Sequence, residues 1–260
     1  MKISVLVVTY NDEKHLKDCL IPLKSFDELV VVDLGSTDRS LEIAKDLGIN
    51  VIARSWVPII EMVLPTLIPT LKNDWVLRID PDEVLPSALV DDLLALEPDK
   101  NVGAIVLPLQ YYFLNKKLNN TVWGGMRYSR GVIHKKRVII GPQVVHVSYD
   151  LRDGYKLFTI KFKGDNFVAH YWVDSYSQLY SKHERYLKME GKARFTRGQR
   201  FSWKRLIRYT LEEFIASFVH KSGWRGGWTG WFLSFFYAQY EARSWLALRR
   251  YENSQKQGLR

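Results

Sequence analysis

Within the first hundred residues, short continuous apolar runs alternate with segments of helical period, and no other feature restricts the fold as strongly. Ile3–Thr9 is apolar nearly throughout, and Glu28–Asp33 repeats the pattern. Runs of this length without polar alternation are strands buried on both faces. Between them, Leu16, Leu20 and Leu23 recur at helical spacing and predict a helix over residues 13–24. A second helix is expected over 36–47, stopped by Gly48, then a short strand at 51–53 and a fourth strand at 75–79 that ends on Asp80. Residues 58–71 hold Pro58, Pro65 and Pro69 among apolar side chains and read as a kinked helix. Glu61, its one charge, is expected to be solvated or hydrogen-bonded. Buried strands alternating with helices argue for a parallel sheet with helices on both faces, since parallel neighbours need such crossover connections. The fold class is therefore α/β, a mainly parallel sheet flanked by helices.

Beyond Asp82-Glu83 the rhythm changes. A helix is expected over 88–96 and a strand over 103–113. Turns follow at 115–120 and 124–125, then one or two strands across 132–147, broken at Gly141-Pro142. Helices are expected over 174–191, 203–220 and 228–252, with a four-glycine segment at 223–230 joining the last two and a frayed tail at 253–260. This pattern suggests an α/β domain over residues 1–172 and a helical extension over 173–260. Hydrophobic residues make up 47% and aromatics 13%, which excludes a disordered chain. The single cysteine, Cys19, excludes a disulfide framework and a cysteine-based zinc site. The opening residues read as a strand rather than a leader, and no apolar run reaches the ~18 residues of a membrane span. A cytoplasmic location is the expectation.

Charge is unevenly placed. Residues 181–260 hold 17 of the 38 Lys/Arg but 6 of the 28 Asp/Glu, a net +11 against −1 for the rest, together with five of nine tryptophans. Arg194, Arg197, Arg200, Lys204, Arg205 and Arg208 interleave with Phe195, Phe201, Trp203 and Tyr209, and Trp224, Trp228, Trp231, Phe232, Phe235, Phe236 and Tyr240 follow at roughly helical spacing. Such a region suits an anionic partner. No RNP, KH or zinc-finger signature accompanies it, so a membrane surface, contacted peripherally through the C-terminal helices, is expected rather than nucleic acid. The rival expectation is that these aromatics pack the last helices inward.

In open parallel sheets, ligands bind beyond the carboxyl ends of the strands. The polar residues at those ends are Thr9-Tyr10-Asn11, Asp33 with Gly35-Ser36-Thr37-Asp38, and Asp80-Pro81-Asp82-Glu83. Asp80 and Asp82, two residues apart after a strand, form a hard-oxygen pair suited to Mg²⁺ or Mn²⁺ completed by substrate phosphates. Gly35-Ser36-Thr37 is neither a Walker loop nor a Gly-x-Gly-x-x-Gly turn, so kinase and dehydrogenase readings lack their fingerprints.

Val-Val-Thr-Tyr-Asn-Asp-Glu at 7–13, Val-Val-Asp-Leu-Gly-Ser-Thr-Asp at 31–38 and Trp-Val-Leu-Arg-Ile-Asp-Pro-Asp-Glu at 75–83 resemble the nucleotide-sugar motifs of family 2 glycosyltransferases with the Rossmann-like GT-A fold. Gly141-Pro142-x-Val-Val-His146, Val168-Ala-His170-Tyr and the Trp- and Gly-rich C-terminal stretch are similar to a subgroup typified by lipopolysaccharide-core glucosyltransferases. The resemblance implies a nucleoside diphosphate sugar as donor, with UDP first. Thr9 and Asn11 would line the base and ribose pocket with Glu13 close by, and Asp33 would accept from the uracil imide. Asp80 would contact ribose or sugar. Asp82, with His170, would bind the metal at the diphosphate.

The subgroup carries His-Glu where this chain has His146-Val147-Ser148. Inverting transfer needs a base for the acceptor hydroxyl, and Asp150, Asp153 and Glu83 are the candidates, with Asp150 taken as the catalytic one beside Asp80 and Asp82. His146 reads equally as a core histidine on a Val-rich strand. The expected acceptor is a lipid-linked or envelope glycan at the inner face of the membrane. A polyprenyl phosphate, already ionised and needing no base, is the near alternative. A non-catalytic nucleotide-sugar or nucleic-acid binding module is the distant one.

Overall fold

The computed structural model describes residues 1–140 and 149–258. The chain forms two compact units, one of residues 1–112 and 126–172, the other of residues 113–125 and 173–260.

The first unit opens with β1 (Ile3–Thr9), α1 (Glu13–Leu23), β2 (Glu28–Asp33), α2 (Ser40–Asp46) and β3 (Asn50–Ala53). Next come α3 (Leu64–Leu67), β4 (Trp75–Ile79), β5 (Glu83–Val84), α4 (Ser87–Ala95) and β6 (Val102–Phe113). After β7 (Lys116–Lys117), which falls in the second unit, follow β8 (Arg127–His134), β9 (Val138–Ile140), β10 (Tyr149–Leu151), β11 (Lys156–Thr159) and β12 (Val168–Val173). The main sheet runs in the order β3-β2-β1-β4-β8-β6-β12-β5, with β11 beside β6. β1 to β4 pair in parallel, as the crossover pattern requires. The second half is mixed: β8 lies antiparallel between β4 and β6, and β12 antiparallel to β5.

Every residue of β1 is buried. Its pleat sends Ile3, Val5 and Val7 into a core with Leu16, Leu20 and Leu23 of α1, and Leu6 and Val8 into a second core with Leu64, Leu67 and Ile68. Those last residues come from the proline-rich segment. It is not one kinked helix but three short turns: a 3₁₀ turn at Ile60–Met62, α3, and a second 3₁₀ turn at Ile68–Thr70. Pro65 and Pro69 remove N–H donors that a continuous ladder would use.

α2 starts at Ser40, four residues later than expected, because side chains rather than helical carbonyls take the N–H groups of residues 35–38.

The second unit contains α5 (Tyr176–Thr196), α6 (Trp203–Ile215) and α7 (Gly227–Gly258). The tail that composition marked as frayed continues α7 to Gly258. Residues 113–125, expected within the first domain, group here because Phe113 packs on Tyr176 and Phe232, Trp123 on Tyr237, and the Thr121 N–H donates to the Lys221 carbonyl. α5 meets α7 closely at Gly191, where a Cβ would stand 2.5 Å from the Ala247 carbonyl oxygen. Beside that crossing lies a nearly dry ion network. Arg194 donates to Glu241 and Ser244 at 2.6 Å each and stacks over Trp245 at 4.8 Å, and Glu190 accepts from Tyr240 and Ser244 at 3.2 Å. Arg194 therefore belongs to the interior rather than to the basic surface. Among the described residues, no helix is long and apolar enough to cross a membrane.

Replacing Arg194 by Ala takes the buried cation from Glu241, which keeps the Trp245 N–H, and from Glu190, which keeps Tyr240, Ser244 and the more exposed Arg197. Breaking such a buried pair costs up to about 3–5 kcal/mol. The loss should appear as a lower urea midpoint, whereas exposed Lys188→Ala on the same helix should stay within ~0.5 kcal/mol of the parent.

Candidate active site

The register of the parallel strands sets the site. Thr9 lies opposite Asp33 and Val7 opposite Ile79, so the chain leaves β1, β2 and β4 along one edge of the sheet. Ligand crevices of parallel α/β sheets form at this edge.

The loops after β1 and β2 are tied together by side chains. Asn11 takes a left-handed conformation (φ +58°), which asparagine tolerates better than most residues, and its Oδ1 accepts the Thr37 N–H at 2.7 Å. Glu13 accepts from the Arg39 N–H at 2.9 Å, and its own N–H donates to Asp38 at 3.0 Å. Asp38 thus serves the loop, and hydrogen bonds from Ser40 and Glu13 hold its carboxyl low although burial opposes ionisation. Asp33, 4% exposed, folds onto the N–H groups of Gly35 and Ser36 at 3.1 and 3.2 Å. Gly35 makes that turn at φ +85°, where a Cβ would be strained. The buried Thr9 hydroxyl donates to Asp12 at 3.3 Å. Thr9, Asn11, Glu13 and Asp33 are therefore brought together, each committing part of its bonding capacity to the loop. A carboxylate accepts at about four positions, so Asp33 retains capacity for a ligand N–H.

The loop after β4 forms a second, charged group. β5 pairs with β12 so that Glu83 lies opposite His170. Glu83 Oε1 sits 3.2 Å from His170 Nδ1, and Asp82 Oδ2 sits 3.4 Å from His170 Nε2. Glu83 Oε2 also accepts the Asp80 N–H at 3.0 Å. Arg78, inside β4, reaches Asp80 at 3.7 Å. Burial works against the Arg78 charge, and Asp80, Glu83 and Glu61 outweigh it. Burial first, then the Asp80 carboxylate, pushes Glu83 up to about 7, with His170 opposing. Burial and the same carboxylates push the Cys19 thiol well above its ordinary value. Tyr111 covers His170 with ring centroids 4.7 Å apart.

These residues fit a divalent ion. An imidazolium here would face both carboxylates with an N–H, whereas a neutral imidazole has one N–H and one lone pair, so that one ring nitrogen would be open to a cation. In the neutral form, a divalent cation shared by Nε2 and the Asp82 carboxylate would suit their 3.4 Å separation, with Glu83 behind the ring at 3.2 Å where carboxylates stand behind metal-bound histidines. Among the described residues, no group of three or more His, Cys, Asp or Glu is placed to hold a metal, so further ligands would have to be water or substrate oxygens.

Among the described residues, no contact joins Asp150 to this group. It is exposed on β10, paired with Ile139, and its neighbour Tyr149 points the other way. Tyr149 is half-buried, desolvation raises its phenol well above the ordinary value, and its hydroxyl donates to the Arg130 carbonyl at 2.7 Å. His146 lies outside the described residues. Arg78, Tyr111 and Tyr149 were not singled out from sequence. Of these only Arg78 carried a signal, as a lone charge in an otherwise apolar strand.

Residues 4–152, more than half the chain, match the profile of glycosyl transferase family 2. The chain belongs to this family. An uncharacterized glycosyltransferase of Rickettsia bellii is 35% identical over 94 residues, and one of Rickettsia typhi is 37% identical over 94. The aligned stretch is 35% of this chain and about a third of either relative, 31% and 32%. Residues 1–349 of S. aureus TarS, whose structure was determined in complex with UDP-GlcNAc, superimpose with a TM-score of 0.51 at 14% identity, covering 99% of this chain and 92% of that one. The shared fold is GT-A.

A group whose folded pKa is raised contributes stability at low pH and loses it as pH climbs through that value. In chelator-containing buffer, the melting temperature should therefore fall as pH rises from 4.5 to about 7 on account of Glu83. Glu83→Gln has no proton to lose, and its melting temperature should change less across the same window. An identical pH profile for the two proteins would count against the buried Glu83.

Proposed function

We propose that this protein transfers a sugar from a nucleoside diphosphate, UDP by preference, to a lipid-linked or envelope glycan of the lipopolysaccharide-core type, with inversion. The transfer takes place at the cytoplasmic face of the membrane, where the chain is peripherally held. The observation that carries this reading is the level register of β1, β2 and β4, which delivers Asp33, Asp80 and Asp82 to one sheet edge. A UDP-sugar is also what the TarS structure of the same fold contains.

Thr9, Asn11 and Glu13 shape the base and ribose pocket, and Asp33 accepts the imide N–H of the base. Asp80, held by Arg78 and its own N–H bond to Glu83, contacts ribose or sugar. Asp82 and His170 would hold Mg²⁺ or Mn²⁺, which when bound stabilises negative charge developing on the leaving diphosphate. Glu83, 3.2 Å from Nδ1, would hold the His170 ring from behind. Asp150 remains the proposed base for the acceptor hydroxyl, exposed where an incoming acceptor can reach it.

A thermal-shift panel of uridine, guanosine and adenosine diphosphate sugars, with and without Mn²⁺, tests the donor. Binding at a hundredfold excess over Kd stabilises by ~2.7 kcal/mol. Asp82→Ala should lose the Mn²⁺-dependent part of the shift and more than about tenfold in transfer, a barrier change above ~1.4 kcal/mol. A variant retaining both would remove Asp82 from the metal site.

Asp33→Asn keeps one carbonyl oxygen for the Gly35 and Ser36 N–H groups but can present an N–H to the uracil N–H. Uridine nucleotide affinity should drop by ~1–3 kcal/mol in calorimetry. Unchanged affinity would exclude the imide contact.

A further inference from the structure

In the second unit, no residue of α6 is fully buried. Trp203, Ile207, Leu211 and Ile215 recur at every fourth position, share one face and are exposed. The apolar surface does not end with the helix. Phe214 reaches Phe235 of α7 with centroids 4.9 Å apart, and Phe218 reaches Trp231 at 4.4 Å. It finishes at Trp228, 74% exposed, beside a groove of about 710 Å³ lined by Gly227, Trp228, Trp231, Phe232 and Phe235. Inward packing does not account for these side chains, because Leu233, Phe236, Trp245 and Leu248 already form the buried face of α7.

Charge identifies the occupant. Residues 203–228 carry five Lys/Arg and two Glu. Arg208 is paired with Glu212 at 2.7 Å and Arg205 lies on the far side of α6, which leaves exposed Lys204, Lys221 and Arg225 as the positive charges nearest the apolar surface. A second copy of the chain docking on this face in an isologous dimer would set these charges against their own copies. An apolar stripe with exposed tryptophans and flanking cations matches the boundary between anionic headgroups and acyl chains.

We propose that α6 and the first turns of α7 form a docking face for an anionic phospholipid bilayer, lying in its interface without crossing it. This inference rests on the peripheral hold proposed above and names the surface that provides it, while the donor panel tests the transferase reading separately. It is tested by co-sedimenting the full chain with vesicles of phosphatidylcholine, alone or mixed with phosphatidylglycerol, at low and high salt. The chain should bind the mixed vesicles alone, and salt should weaken that binding. Lys204→Glu/Lys221→Glu/Arg225→Glu and, separately, Leu211→Gln/Trp228→Ser should each reduce partitioning at least about tenfold. Both variants change exposed side chains and should keep the parent melting temperature. If one fails to fold, the other decides. Absence of sedimentation at low salt, or binding that neither variant weakens, would overturn the proposal. A dimer in light scattering that Leu211→Gln/Trp228→Ser dissolves, or retention of single-stranded RNA, with no vesicle binding in either case, would overturn it too.

Discussion

Everything in the candidate site depends on the locked register of β2, β1 and β4. β1 is buried on both faces, so a slip of one residue would turn Ile3, Val5 and Val7 away from α1 and force Leu6 and Val8 to exchange cores. That apolar cost holds Thr9, Asp33 and Asp80 level at the sheet edge. The polar residues contribute little to the core, and the core determines where they stand.

Around that frame, the first unit spends side-chain hydrogen bonds on shape. Asn11, Glu13, Asp33 and Asp38 each satisfy backbone N–H groups of loops that would otherwise leave them exposed or unpaired. The site's carboxylates are thus positioned before any ligand arrives, the arrangement that makes electrostatic stabilisation effective. The loop after β4 carries the opposite burden. Asp82 and Glu83 crowd His170 while Asp80 stands beside Arg78, and these contacts offset part of the repulsion among the three carboxyl groups. Such a concentration of negative charge is costly for the fold and useful toward a cation.

The second unit solves a different problem. Arg194, Glu190 and Glu241 bind α5 to α7 from inside, while α6 keeps its apolar stripe outside. Basic composition alone did not distinguish the two uses of arginine. Arg194 and Lys204 lie ten residues apart in one basic cluster, yet one is buried against Trp245 and the other is exposed.

Sequence alone determined the elements whose signal is local. β1, β2 and β4 were legible as apolar runs, α1 as a repeat of leucines, and Asp33, Asp80 and Asp82 as carboxylates ending strands. It was less reliable wherever side chains bond to backbone, as in the late start of α2, or where proline divides a helix, as at residues 58–71. What only the tertiary structure decided depends on distance in the chain. The approach of His170 to Asp82 and Glu83 joins residues nearly ninety apart through the β5–β12 pairing, and no local pattern encodes it. The burial of Arg194 likewise required α7 to return Glu241 and Ser244 to its side. Periodicity shows which face of an element is apolar. The partner that face meets, and the charge delivered there, is fixed only when the chain closes on itself.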